Sequence, residues 1–236
     1  MHPRAELEIL PQPDDATCGP TCLHAVYGYF GDPLPLDSVI GEVEPISTGG
    51  TLAVNLARHA LRRGYAATIY TYNLDIFDLT WFAPRRHDLA ARLREQAEHK
   101  DLPMLREATS AYLDFLGLGG RIEHEELSRE FLARLLEAGP IITGLSATYL
   151  YACAREYGDK RLVADDVRGH PTGHFVVLAR YEASRNEVVL ADPLGDRPGF
   201  DSHFYSVQVD RVLGAILLGV LTFDANLTVL RPPGAP

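Results

Sequence analysis

The prevailing hydrophobic period changes at Pro140, and that change does most to limit what this chain can fold into. Up to Gly139 the apolar residues recur mostly at helical spacing; from Pro140 they mostly alternate, in "PIITGLS", "GHFVVLARYE", "NEVVLADPL" and "FYSVQV". A period near 3.6 marks helices with one buried stripe, and a period of two marks strands with one buried face. Helices followed by a mostly antiparallel sheet make the α+β class. The chain has 236 residues, enough to bury the core of one domain. The expectation is a single domain over residues 1–236, with a helical half at 14–139, extended in its middle over 65–139, packed on a sheet half at 140–231.

Within the helical half, Leu23, Val26, Tyr27 and Phe30 fall at i, i+3, i+4 and i+7 of "CGPTCLHAVYGYFG". Pro20 fits only the first turn of such a helix and Gly31 its end, so Cys18 stands at the helix N-terminus. A second helix reads in "TLAVNLARHALRRG", followed by a strand in "YAATIYTYN". Further helices read in "HDLAARLREQAEHK", "LPMLREATSAYLDFLG" and "SREFLARLLEAG". The sheet half holds one short helix, "DRVLGAILLG", with Asp210 as its expected cap, and ends in "VLTFDANLTVLR", read as a hairpin. "STGGTL" reads as a turn and cap, since it lacks the lysine of a phosphate loop.

Charge narrows the partners. The net charge is −10 and no Lys/Arg stripe appears, which argues against nucleic acid and leaves a small or peptidic partner. The first residues lack a basic segment followed by an apolar run, and the run "VLGAILLGVLTF" is too short to span a bilayer. A cytoplasmic chain with no membrane partner is expected. Cys18, Cys22 and Cys153 are an odd set without an export signal, so the thiols are core filler or chemistry rather than a disulfide framework. Cys22 and Cys153 read as core filler.

A helix N-terminus presents unpaired N–H groups and the positive end of the macrodipole, which stabilise a thiolate. That makes Cys18 a candidate nucleophile, and acyl transfer then needs an acid/base partner, an orienting group and oxyanion donors. His59, His87, His99 and His124 lie in helical or charged surroundings and read as surface; His24 points away from Cys18. His174, at the mouth of the "GHFVVL" strand, is the candidate base, and Asp192, at the rim of "LADPLG", the candidate orienter. A hairpin loop centred on Ser184 sets Asp192 opposite Val176, on the face of His174; one centred on Ala183 sets His174 opposite Asp192. A two-residue turn at Ser184-Arg185 would put them on opposite faces, so an odd or bulged loop is expected. Gln12, six residues before Cys18, carries a neutral amide donor that can join the Cys18 N–H at an oxyanion.

Gln12, "TCGPTCLHAV", "GHFVVLARYE" and "LADPLG" together resemble the papain-like cysteine peptidases of the bacteriocin-processing type, the double-glycine leader peptidases. The resemblance covers the first 30 or so residues and the stretch 170–215. It implies a papain-like fold with Cys18 as nucleophile, His174 as base and acid, Asp192 as orienter and Gln12 as oxyanion donor. The transporter-linked members carry membrane spans and an ATPase; this chain has neither, and its middle is longer. The implied activity is cleavage of a peptide or amide bond. The alternatives are an acyl or peptidyl transferase using the same thioester, or a peptide-binding module that has lost turnover. Tyr72, Asn73, Trp81 and Phe82 are expected to line a substrate cleft, with His170 beside it. No metal is expected, because "CGPTCLH" puts His24 on another face and Pro171 and Gly173 deny His170 and His174 a shared helix. No cofactor is expected either.

Overall fold

The computed structural model describes residues 6–47, 49–83, 88–158, 162–195 and 199–234. His87 and Thr48 of "STGGTL" lie outside the described residues. Helix α1 (Cys18–Tyr29) opens at Cys18, preceded by Thr17, which makes no side-chain cap. A missing cap forgoes about 1 kcal/mol. Leu23, Val26 and Tyr27 are fully buried, and each large apolar side chain so placed contributes about 1.5–3 kcal/mol. Packing therefore holds the helix start where capping does not.

Next come α2 (Leu36–Glu42), α3 (Ala53–Arg62) and β1 (Ala66–Thr71), then a 3-10 turn at Leu79–Phe82. The middle runs α4 (Leu89–His99), α5 (Pro103–Gly117), β2 (Arg121–Glu123) and α6 (Arg129–Ala138). The second half has β3 (Ile141–Ser146), α7 (Ala147–Tyr151), a small ribbon of β4 (Glu156–Tyr157) and β5 (Val163–Ala164), then β6 (Gly173–Glu182), β7 (Glu187–Ala191), β8 (Phe204–Gln208), α8 (Val209–Leu218) and β9 (Asn226–Arg231). Among the described residues no helix is long and apolar enough to cross a membrane.

Seven strands form one sheet in the order β2-β1-β9-β3-β6-β7-β8. All pairs are antiparallel except β1 with β2. The helical half therefore lends β1 and β2 to the sheet. The terminal hairpin expected in "VLTFDANLTVLR" is a 3-10 turn at Gly219–Thr222 and a single strand. Phe223 and Ala225 adopt positive φ of 62° and 64°, which swings the chain into the slot between β1 and β3. There β9 is buried at five of its six residues, so its run of apolar and threonine side chains reads as a central strand, not one arm of a ribbon. Asp210 does not cap α8; it sits in the first turn and accepts from Arg129 Nε at 2.9 Å.

Helices cover both faces. Phe175 and Val177 of β6 point into a core with Leu23, Val26, Leu56 and Phe115; Val176 and Leu178 point into a second core with Leu132, Leu190 and Ile216. His59 is not on the surface: α3 packs against α1, and the ring is 5% exposed, with Nδ1 2.8 Å from Tyr27 Oη and Nε2 3.0 Å from Glu42 Oε2.

The β6–β7 hairpin decides the geometry of the site. Its tip pairs Glu182 with Glu187, Tyr181 with Val188 and Arg180 with Val189, leaving an even loop of residues 183–186. Continued unchanged, that register would set His174 and Asp192 on opposite faces. A bulge at Ala179 shifts it, so that Leu178 pairs with Leu190 and Val177 with Ala191. Carried to the strand ends, this register sets Asp192 against Val176, on the face of His174. The irregularity lies within the strand rather than in the loop.

Candidate active site

Cys18 is the first residue of α1 and is partly exposed. Gly19 lets it approach the sheet: a Cβ there would lie 2.6 Å from Thr51 Cγ2 and 3.3 Å from Phe175 Cδ2. Only glycine allows the helix end to press against β6 and the loop before α3, so the Gly-Pro after Cys18 serves a close approach as well as a helix start. Cys22, one turn on, is fully buried, and burial, with Cys18 and Asp192 nearby, holds its thiol well above the ordinary range.

His174 is 6% exposed and pairs with Leu145 of β3. Its Nε2 lies 2.9 Å from Asp192 Oδ1, and the Cys18 thiol lies close enough to the ring to act on its charge. Burial works against a charge on the imidazole, yet the hydrogen bond to Asp192 and the nearby Cys18 prevail and raise its pKa. Asp192 has no exposed surface. Its Oδ1 also accepts from Leu194 N at 2.9 Å, and its Oδ2 accepts from Tyr151 Oη at 2.7 Å and Tyr205 Oη at 2.6 Å. Burial pushes this carboxyl up, but His174, Tyr205 and Tyr151 hold it below the usual range. The arrangement keeps a carboxylate behind an imidazole that readily carries a proton, with a thiol in front.

Cys18 and His174 open into a cleft of about 460 Å³, whose walls include Gly50, Thr51, Gly173 and Asp224. Gln12 is tied to the turn after Asp192 by its backbone N–H, which donates to Pro193 O at 2.9 Å. Its side-chain amide donates to Asp14 O at 2.8 Å, and Gln12 is not among the residues that line the cleft.

The expected substrate residues lie elsewhere. Tyr72 is 8% exposed and packs edge-on against His124. Asn73 is buried and its Nδ2 donates to Asp224 O at 3.1 Å. Trp81 packs edge-on against Phe77, Phe82 also packs on Phe77, and His170 is exposed, pairing through its backbone with Glu156. None of the five lines the cleft. The helix-side wall includes instead Gly49 and Gly50 of "STGGTL", with Thr51 and Leu52 after them. The phenols behind Asp192 were not anticipated, since Tyr151 comes from α7; Tyr205 belongs to the "FYSV" strand, where its alternation with Val207 was the available signal. Among the described residues no cluster of three or more His, Cys, Asp or Glu could hold a metal ion.

No family model and no curated protein matches the sequence. Among solved structures, a putative C39-like peptidase from Bacillus anthracis aligns over 97% of this chain and 96% of its own, with a TM-score of 0.52 and 15% identity. The peptidase domain of Streptococcus ComA, a bi-functional ABC transporter involved in quorum sensing, aligns over 96% and 99% with a TM-score of 0.45 and 13% identity. A double glycine motif protease from an AMS/PCAT transporter, in complex with the leader peptide, aligns over 98% and 95% with a TM-score of 0.44 and 13% identity. The chain has the fold of the C39-like, papain-like peptidases.

Proposed function

We propose that this chain is a thiol-dependent hydrolase that cleaves a peptide or amide bond through Cys18, His174 and Asp192. The observation that carries this reading is the buried, hydrogen-bonded His174–Asp192 pair that lines one cleft with the partly exposed Cys18 thiol. His174 takes the thiol proton, and Cys18 Sγ adds to the substrate carbonyl. The Cys18 N–H stabilises the oxyanion, joined by the Gln12 amide once it leaves the Asp14 carbonyl. The tetrahedral adduct collapses, the C–N bond breaks, and His174 gives its proton to the departing amine. Water, deprotonated by His174, then cleaves the thioester to a carboxylic acid and frees the thiol. Asp192 keeps the imidazole oriented and favours its charged form throughout, as in other triads.

One observation favours a second reading, a peptide-binding module without turnover: the Gln12 amide is bonded to Asp14 O rather than turned to the cleft. Iodoacetamide labelling at about pH 6, read by mass spectrometry, tests the first. Cys18 should react at least ten-fold faster than Cys153, as an activated thiol does. Equal rates at the two would end the nucleophile reading. Turnover of a peptide library by the wild type but not by Cys18→Ala separates the enzyme from the silent module, and an amine acceptor in the mixture exposes transfer in place of hydrolysis.

A further inference from the structure

The cleft contains a carboxyl that the proposed reaction does not use. Asp224 sits between the two positive-φ residues that lead into β9. Its N–H donates to Gly219 O at 2.9 Å, and its carbonyl accepts from Asn73 Nδ2 at 3.1 Å and Asn226 Nδ2 at 3.2 Å. The side chain lies against β3 and β6 where both strands have glycine. A Cβ on Gly144 would collide with Oδ1, and one on Gly173, beside His174, would sit 2.8 Å from Oδ2. The backbone clamp and the two glycines hold the carboxyl in one place.

Asp224 is only 6% exposed, yet it lines the cleft with Cys18 and His174. Among the described residues its carboxyl receives one hydrogen bond, from Thr222 Oγ1 at 3.2 Å, and Oδ1 receives none. Asp192, by contrast, is surrounded by donors. A buried carboxyl so short of donors is unfavourable unless a partner arrives. Burial pushes its pKa up to about 8, against the opposing pull of Thr222 and His174. Among the described residues the other carboxylate on the wall is Asp15, and no Lys or Arg lines the cleft. The wall therefore offers acceptor atoms and no cation of its own beyond His174.

We propose that Asp224 is a specificity-determining residue that receives a primary ammonium group of the substrate, so that the preferred substrates are peptides or amides with a free amino group or basic side chain beside the scissile bond. The inference rests on the reading of Cys18 as nucleophile and deepens it. Docking the ammonium supplies Oδ1 with the donor it lacks and draws Asp224 into its charged form.

The test compares three thiosulfonates that modify thiols alike but differ in charge: aminoethyl, methyl and sulfonatoethyl methanethiosulfonate. Rates at Cys18 are divided by rates at glutathione, and ratios between reagents cancel changes in thiol nucleophilicity. The ammonium reagent should be favoured over the neutral one at Cys18 by about ten-fold, and the sulfonate disfavoured, as expected for a charge within several ångströms. Asp224→Asn should abolish most of that preference; Asp15→Asn, at an exposed position, should keep most of it. A ratio at Cys18 equal to that at glutathione, or one that survives in Asp224→Asn, overturns the inference. Should that variant not fold, the Asp15→Asn ratio decides, and its collapse to the glutathione value overturns the inference in favour of Asp15. Failure of the nucleophile reading is distinct, since it shows as slow labelling of Cys18 by the neutral reagent.

Discussion

Replacing Asp224 with asparagine should make the protein more stable at neutral pH, although it alters a residue on the wall of the cleft. A carboxyl in an unfolded chain titrates near 3.9. In the fold, burial holds Asp224 up to about 8. Because the folded pKa is the raised one, the stability this group contributes is complete below about pH 3.9 and is lost as pH climbs towards 8. Each unit of pH in that window removes about 1.4 kcal/mol, so the loss at pH 7 is bounded at about 4 kcal/mol. Asparagine has nearly the same shape and no charge to desolvate. It weakens the Thr222 contact, worth about 1 kcal/mol, which leaves an expected gain of about 1–3 kcal/mol at pH 7. Urea unfolding of both proteins at intervals between about pH 4 and pH 8 measures it. At the acid end the asparagine variant should be the less stable by about 1 kcal/mol, the worth of the Thr222 contact, and it should gain on the wild type as pH rises. A difference that does not change with pH, or an asparagine variant that loses ground as pH rises, would refute the account of Asp224 as an uncompensated acid. A gain in stability here, with the loss of ammonium preference argued above, is the signature of a group kept for function at the expense of the fold.

Two further substitutions address the rest of the site. Tyr205→Phe removes one donor from Asp192 Oδ2 while Tyr151 stays, and should destabilise by about 1–3 kcal/mol. Since Tyr205 helps depress the pKa of Asp192, that loss should be full at neutral pH and shrink below about pH 4, a trend that thermal melts at several pH values will show or exclude. Gly19→Ala forgoes the usual helix-propensity gain of about 1 kcal/mol, because the added methyl meets Thr51, and overpacking costs about 1–3 kcal/mol. Denaturant midpoints should fall and Cys18 labelling slow; Thr51→Ser in the same chain removes the worst clash and should recover part of both, the remainder reflecting the contact with Phe175.

The elements legible in the sequence are those whose pattern is long or sharply bounded. Helix α1 announces itself through Pro20, Gly31 and a clean apolar stripe, and α6 through Ser128, whose Oγ accepts from Phe131 N. Helix α2 buries only Val39, and β2 is three residues long, so neither carries enough periodicity to stand out. The course of β9 is hidden because the backbone turns that carry it into mid-sheet fall on Phe223 and Ala225, residues that do not advertise positive φ. His174 and Asp192 are legible as a pair because each ends a strand of one hairpin. The surroundings of Asp192 were beyond reach of local pattern: Tyr151 is 41 residues away and comes from another element. Asp224 is further removed, brought to Gly173 by the same unexpected route of β9.

The bulge at Ala179 divides β6 into two pieces that obey opposite rules. On the site side, even-numbered residues (Val176, Leu178) face the core shared with Leu190; past the bulge, the odd-numbered Tyr181 packs there instead. A residue-by-residue polar scan of β6 should therefore show uniform intolerance over 174–178, where both faces are buried, and alternation only past 179, with Arg180 tolerant and Tyr181 sensitive. The hairpin tip can then vary under its own constraints, with its parity errors absorbed before they reach the site.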